Sequence, residues 1–296
     1  MKYAFYPGCV SRGAAPELFS ATVSVCAKLD IELEFDQMRS ASCTGSGILQ
    51  EKNLRLGDTL NARTFALAER TGLPLLNICS TCQGVMSQAN QRLTSDPDYL
   101  ASINEDLAEE GLEYKGTVEP RHLMWIIVED VGIEKLRSQV TLPLTGFKVA
   151  PFYGCYIVRP TSALGFDRHP GRKDALERVI EAVGAEVVDF PGKTLCCGFP
   201  ILTINETNSV KMVANHTLDA KQSGAQAMVT PCPLCHLNLD GYQPKASAVA
   251  KESIDLPIIH LPQLLGLALG IDPKVMRMNK HIVSTKKMLS EIAIAP

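Results

Sequence analysis

At 296 residues, with 46% apolar and 21% charged side chains, the chain has the make-up of a folded globular protein, which excludes disorder and fibre formation. A net charge of -3 leaves no global basic field for nucleic acid or an anionic membrane surface. Ten cysteines are too many for core filler, and a reducing compartment argues against structural disulfides, so metal or redox chemistry is the class to look for.

The amino-terminal stretch MKYAFYPGCVSRGAAPEL has no apolar run of signal-peptide length before Pro7 and Gly8. A cytoplasmic location is therefore expected. The longest strongly apolar stretch, LPQLLGLALGI (261–271), falls short of the roughly 20 residues of a spanning helix. No transmembrane segment is expected, while peripheral attachment through a membrane partner stays open.

In chain order, YAFYPGC reads as a buried strand delivering Cys9 at its carboxyl end. ELFSATVSVCAKLDIELEF follows as a helix and an alternating strand; its Cys26 sits at an apolar helical position and reads as a buried core thiol. The turn SASCTGSG carries Cys43. LRLGDTLNARTFALAERTG is an amphipathic helix leading into the strand LPLLNIC, which delivers the pair Cys79 and Cys82, and RHLMWIIVEDVG is a His-Leu start to an apolar helix.

The same order then recurs. VAPFYGC ends at Cys155, DALERVIEAVGAEVVDF gives helix and strand, and TLCCGFP carries Cys196 and Cys197. NSVKMVANHTLDAKQSGAQ is the second amphipathic helix, AMVTPC delivers Cys232 and Cys235, and IHLPQLLGLALG closes the unit. Alternating strands and helices predict two tandem pseudo-symmetric α/β domains with short parallel sheets and cysteines at strand carboxyl ends. The boundary falls in RSQVTLPLTG, giving domains 1–145 and 146–296, the second ending in a separate, basic helical tail from Asp272 with a solvated lysine face.

CPLCH (232–236) by itself fits haem attachment, half a zinc site, or a redox pair. Haem c needs export, for which no signal is visible. In the second half five thiols come from three loops: Cys155, forty residues, Cys196-Cys197-Gly198, then Cys232-x-x-Cys235. Five thiolates exceed a closed structural zinc site, and an iron-sulfur cluster has more iron vertices to satisfy. Gly198 lets the backbone turn beside such a group.

These residues resemble the cysteine-rich CCG domain family, whose pattern is a cysteine, then C-C-G, then C-x-x-C. Two copies over nearly the whole chain are similar to the B subunit of heterodisulfide reductase and its relatives. The resemblance implies a non-cubane 4Fe-4S cluster on Cys155, Cys196, Cys197, Cys232 and Cys235, and disulfide chemistry between two such clusters. It also implies partners, a ferredoxin-like iron-sulfur subunit and a flavoprotein subunit. In the first half Cys9, Cys43, Cys79 and Cys82 match, with Ser42 in place of the first cysteine of the pair and Thr44 in place of the glycine. Three options are open there: an ordinary cubane cluster, a modified non-cubane one with Ser42 as ligand, or a tetrahedral zinc.

The expected function is an iron-sulfur redox subunit passing electrons to or from thiol or disulfide sulfur, including a lipoate- or sulfur-carrier-linked substrate in a sulfur-oxidation complex. The alternatives are an electron-transfer or anchoring subunit of a succinate dehydrogenase-like respiratory complex and a zinc-stabilised interaction module. Around the site, Tyr156 and Phe199-Pro200 either line the pocket or pack. His236 either donates to a cluster sulfur or substrate or sits at a cap or surface, and His122 and His260 are expected to tie loops to backbone. NETN (205–208) is a helix start. No phosphate loop or GxGxxG fingerprint is present, so flavin and nicotinamide belong to partners.

Overall fold

A computed structural model describes residues 1–294; the last two residues of the expected tail lie outside these. Four strands, β1 (Lys2–Tyr6), β2 (Glu32–Glu34), β3 (Leu75–Asn77) and β4 (Pro120–His122), form a sheet in the order β2-β1-β3-β4. β5 (Lys148–Pro151), β6 (Glu186–Val187), β7 (Ala227–Thr230) and β8 (Ile258–His260) repeat it as β6-β5-β7-β8. Every pairing is parallel, and the registers correspond, with Ala4 opposite Leu75 and Val149 opposite Ala227. The expected pair of pseudo-symmetric α/β units is what the chain forms.

Side chains alternate across each strand, so each sheet is apolar on both faces. Tyr3, Phe5, Val149, Ala227 and Val229 enter one core, and Ala4, Tyr6, Ala150, Met228 and Ile258 enter the other. Each core therefore draws on both halves of the chain. The helix Pro16–Lys28 of the first half packs on Leu261–Ala268 of the second, and Leu123–Ile126 of the first packs on Ala175–Ala182 of the second. Cys26 is fully buried in the first of these cores, as its apolar register implies, and burial pushes its thiol up to about 12.

The tail differs from its expectation. It does expose Lys274, Lys286 and Lys287, but Met276, Met278, Met288 and Ile292 are buried in the main core and His281 is nearly so. Widely spaced methionines present no helical period to read, and their flexible side chains fill irregular gaps. The segment is thus part of the second half's packing.

In an order such as β2-β1-β3-β4, connections leave β1 toward opposite sides, and a crevice opens at the strand carboxyl ends. The loops after β1, β2 and β3, and after β5, β6 and β7, carry the cysteines to that edge.

Candidate metal centre

Each C-x-x-C pair begins at a helix N-cap. Cys79 caps the helix Ser80–Ser95, its sulfur accepting from the Cys82 amide at 3.4 Å, and Cys232 caps Pro233–Gly241. Unpaired amides and the positive end of the helix dipole therefore face these sulfurs and favour thiolate. Cys155 comes close by way of Gly154, whose φ of +71° is left-handed and whose missing Cβ would lie 2.8 Å from the Cys235 sulfur. Any side chain at 154 would push that sulfur away.

The third element is the turn before each long helix. In the second half Gly198, at φ +92°, turns its amide onto the Cys196 sulfur at 3.4 Å, and Cys197 is buried against Cys235. In the first half Gly45, at φ +84°, donates its amide to Cys43 at 3.4 Å. The Thr44 hydroxyl, also buried, points at Cys82 across 3.5 Å, and the Cys9 and Cys43 sulfurs are 3.6 Å apart. The structural counterpart of Cys196-Cys197-Gly198 is accordingly Cys43-Thr44-Gly45.

This corrects the expectation for Ser42 by one residue. Its hydroxyl accepts from the Arg63 guanidinium at 3.3 Å, and Arg63 is itself paired with Glu110. Ser42 is absent from the cavity that Cys9, Cys43, Thr44, Cys79 and Cys82 line. Aligning C-T-G on C-C-G, with one cysteine replaced by threonine, is the signal that would have found this.

The two sites touch. The hydroxyl of Thr81, two residues after Cys79 in the first, lies 3.4 Å from the Cys232 sulfur of the second. A cavity beside the second site takes Ser46, Ile48, Ser80 and Thr81 from the first half and Cys155, Tyr156, Cys197, Phe199, Pro200, Cys232 and Cys235 from the second. Tyr156, Phe199 and Pro200 thus line the pocket. Leu234 reaches both cavities.

All ten cysteines are free, and the nine repeated ones form two sets of unequal polarity. A hydrogen bond from Cys155 leads the causes that draw Cys196 down to about 2, with the Gly198 amide adding to it. Cys9 similarly draws Cys43 down to about 6, helped by the Gly45 amide. Burial would raise Cys232, but bonds from Cys235, Cys79 and Thr81 hold it well below its ordinary range. The donors Cys9, Cys155 and Cys79 are raised in turn. Metal coordination requires several thiolates at one place, and the amides turned toward these crowded sulfurs favour that form.

Supporting contacts that composition and spacing did not reveal come from elsewhere in the second half. Asn238 donates to the Cys197 carbonyl at 2.7 Å, and His216 bonds the Cys196 carbonyl at 2.9 Å. His122 ties loops to backbone as expected, Nδ1 accepting from the Met124 amide and Nε2 meeting the Pro231 carbonyl at 3.0 Å. His236 sits at neither a surface nor a cap: it is buried and stacks on His260. Asn205 caps its helix, accepting from the Asn208 amide.

The cysteine-rich CCG domain profile matches residues 3–87 and 149–240. Over 97% of this chain and 99% of its own length, the 8-methylmenaquinol:fumarate reductase membrane anchor subunit of Wolinella succinogenes is 37% identical. The B subunit of the ferredoxin/F(420)H(2)-dependent CoB-CoM heterodisulfide reductase of Methanosarcina acetivorans is 31% identical over 98% of this chain and 97% of its own. Among solved structures, a hypothetical protein from Helicobacter pylori superposes with a TM-score of 0.76 at 16% identity over 96% of this chain, which spans 52% of that one, and so shares the fold. Two CCG matches on two sheets of one topology, with heterodisulfide reductase relatives along nearly the whole length, place this chain in the cysteine-rich CCG domain family beside the B subunit of heterodisulfide reductase.

Proposed function

We propose that this chain is an iron-sulfur redox subunit of a multisubunit reductase, exchanging electrons with thiol or disulfide sulfur at the cavity between its two cysteine sites. The observation that carries the reading is the convergence of five thiols beside a second set of four, the two meeting where Thr81 contacts Cys232. Cys155, Cys196, Cys197, Cys232 and Cys235 would hold a 4Fe-4S cluster, of the non-cubane type that five thiolates suit. Cys9, Cys43, Cys79 and Cys82 would hold a second cluster, and the same four thiolates also satisfy zinc. A bound cluster supplies one-electron transfer and iron with affinity for sulfur.

The chain's own part is positioning and exclusion of water. Phe199, Pro200, Leu234 and Ile48 make the cavity mostly apolar, which suits a sulfur substrate with a hydrocarbon arm such as a lipoyl group. The Gly45 and Gly198 amides donate to sulfur and offset negative charge. Partner subunits, ferredoxin-like and flavin-bearing, would connect the site to other carriers.

A second reading, an anchoring subunit of a fumarate or succinate-type complex, is favoured by the Wolinella succinogenes relative and by the rim of the site. No helix among the described residues is long and apolar enough to cross a membrane. Ile48, which lines the cavity, is nevertheless 55% exposed, and Leu195, next in the chain to Cys196, is 49% exposed.

The test is iron, zinc and acid-labile sulfide per chain on anaerobic protein, with electron paramagnetic resonance before and after a dithiol or disulfide. Two clusters' worth of iron and a thiol-dependent signal are expected. Clusters without any such response favour the anchoring reading, and zinc without sulfide overturns both.

A further inference from the structure

The helix that starts at Cys232 carries His236 into a second group of buried donors that the cysteine sites do not use. His236, His260 and Glu17 are 3%, 1% and 4% exposed, and they come from three different elements. Glu17 lies in the first turn of the Pro16–Lys28 helix, and His260 ends β8. One ligand atom from each of the three lies within 4.8 Å of the others. The His236 and His260 rings stack with centroids 3.9 Å apart. The tail adds His281, whose Nδ1 is 2.9 Å from His236 Nε2.

Hydrogen bonding leaves this group short of partners. Among the described residues, His236 Nδ1, His260 Nδ1 and His281 Nε2 are buried without a well-formed hydrogen bond, the Ile258 backbone lying near His236 and His281. The Glu17 carboxylate has one side-chain hydrogen-bond partner, His260 Nε2, at a long 3.4 Å. A buried carboxylate facing imidazoles with unmet nitrogens is poorly solvated as packing alone. The same set, two imidazoles and one carboxylate with a further imidazole bonded behind, is a ligand set for a first-row divalent metal.

We propose that Glu17, His236 and His260 bind one divalent transition-metal ion of the zinc or ferrous class, with His281 orienting His236. The ion ties the first half's Pro16–Lys28 helix to the second half's sheet and tail, and it is separate from the cysteine sites in both residues and ligand type. It does not depend on what the cysteines hold.

Cobalt(II) is a suitable probe, added to the full chain purified anaerobically and washed with chelator. One tightly held cobalt per chain is expected, with an X-ray absorption shell of nitrogen and oxygen at about 2.1 Å. Glu17→Gln should weaken it at least about 10-fold, since even outer-shell partners of metal ligands carry 10–100-fold. A sulfur-containing shell, no uptake, or unchanged affinity in Glu17→Gln would each overturn the site. The absorption measurement needs only the wild type, so a variant that failed to fold would not remove the test.

Discussion

Thr44 and Cys197 occupy corresponding places, each buried and each directed at the last cysteine of its own half. A hydroxyl is a poorer ligand for iron than thiolate, so this one difference leaves the first site with four sulfurs and the second with five. Thr44→Cys should therefore move the first site's paramagnetic signature toward that of the second, and Cys197→Thr should do the reverse. Ser42→Ala, by contrast, should leave metal and sulfide per chain unchanged and stability within about 0.5 kcal/mol, because its hydroxyl faces Arg63. Loss of metal in Ser42→Ala together with none in Thr44→Val would restore Ser42 as the ligand. The nine repeated cysteines are legible because their spacing recurs, whereas Thr44, Thr81 and Asn238 are not. Threonine and asparagine are common residues, and only their place in the fold brings them to the sulfurs.

At the level of elements, strands are legible from short apolar runs and helices from their periods, but the seams between elements are not. Tyr156 illustrates why. Its ring and backbone lie against two glycines of the other half, where a Cβ on Gly84 would sit 2.4 Å from the Tyr156 carbonyl oxygen and one on Gly47 would overlap its hydroxyl. Gly84 lies within the helix Ser80–Ser95, where glycine is otherwise unfavourable, so its place is explained by close approach across the seam. Gly84→Ala gains helix propensity yet forces backbone apart, and overpacking of this kind costs about 1–3 kcal/mol. A lowered thermal midpoint is expected, together with an altered spectrum at the second site, since Tyr156 follows Cys155. A midpoint at or above wild type would show that the seam can open without loss. The tail's packing is hidden for a related reason, as its lysines are visible in sequence while the surface that receives its methionines is assembled from distant elements.

At the scale of the whole molecule, the halves share both cores and meet beside the cysteines, so they should unfold together. His122 sits at this junction, at the end of β4 in the first half, bonded to the carbonyl of Pro231 just before Cys232 in the second. Burial, opposed in part by that bond, depresses its imidazole from 6.5 to about 4. A base whose folded value is depressed contributes its full stability above pH 6.5 and loses it as pH falls through about 4, because the unfolded chain takes up the proton first. One pH unit is worth about 1.4 kcal/mol, so roughly 3 kcal/mol should be lost across this window on account of His122. His122→Gln keeps a donor toward the Pro231 carbonyl but cannot titrate. Thermal midpoints of both proteins at pH 7, 6, 5 and 4.5 should therefore converge on acidification, the variant starting lower and falling less steeply. Other acid-sensitive groups, the cysteine sites included, act on both proteins alike and cancel in the difference. Parallel curves would mean that His122 is solvated or already protonated in the fold, and the junction would then need another explanation for its closure.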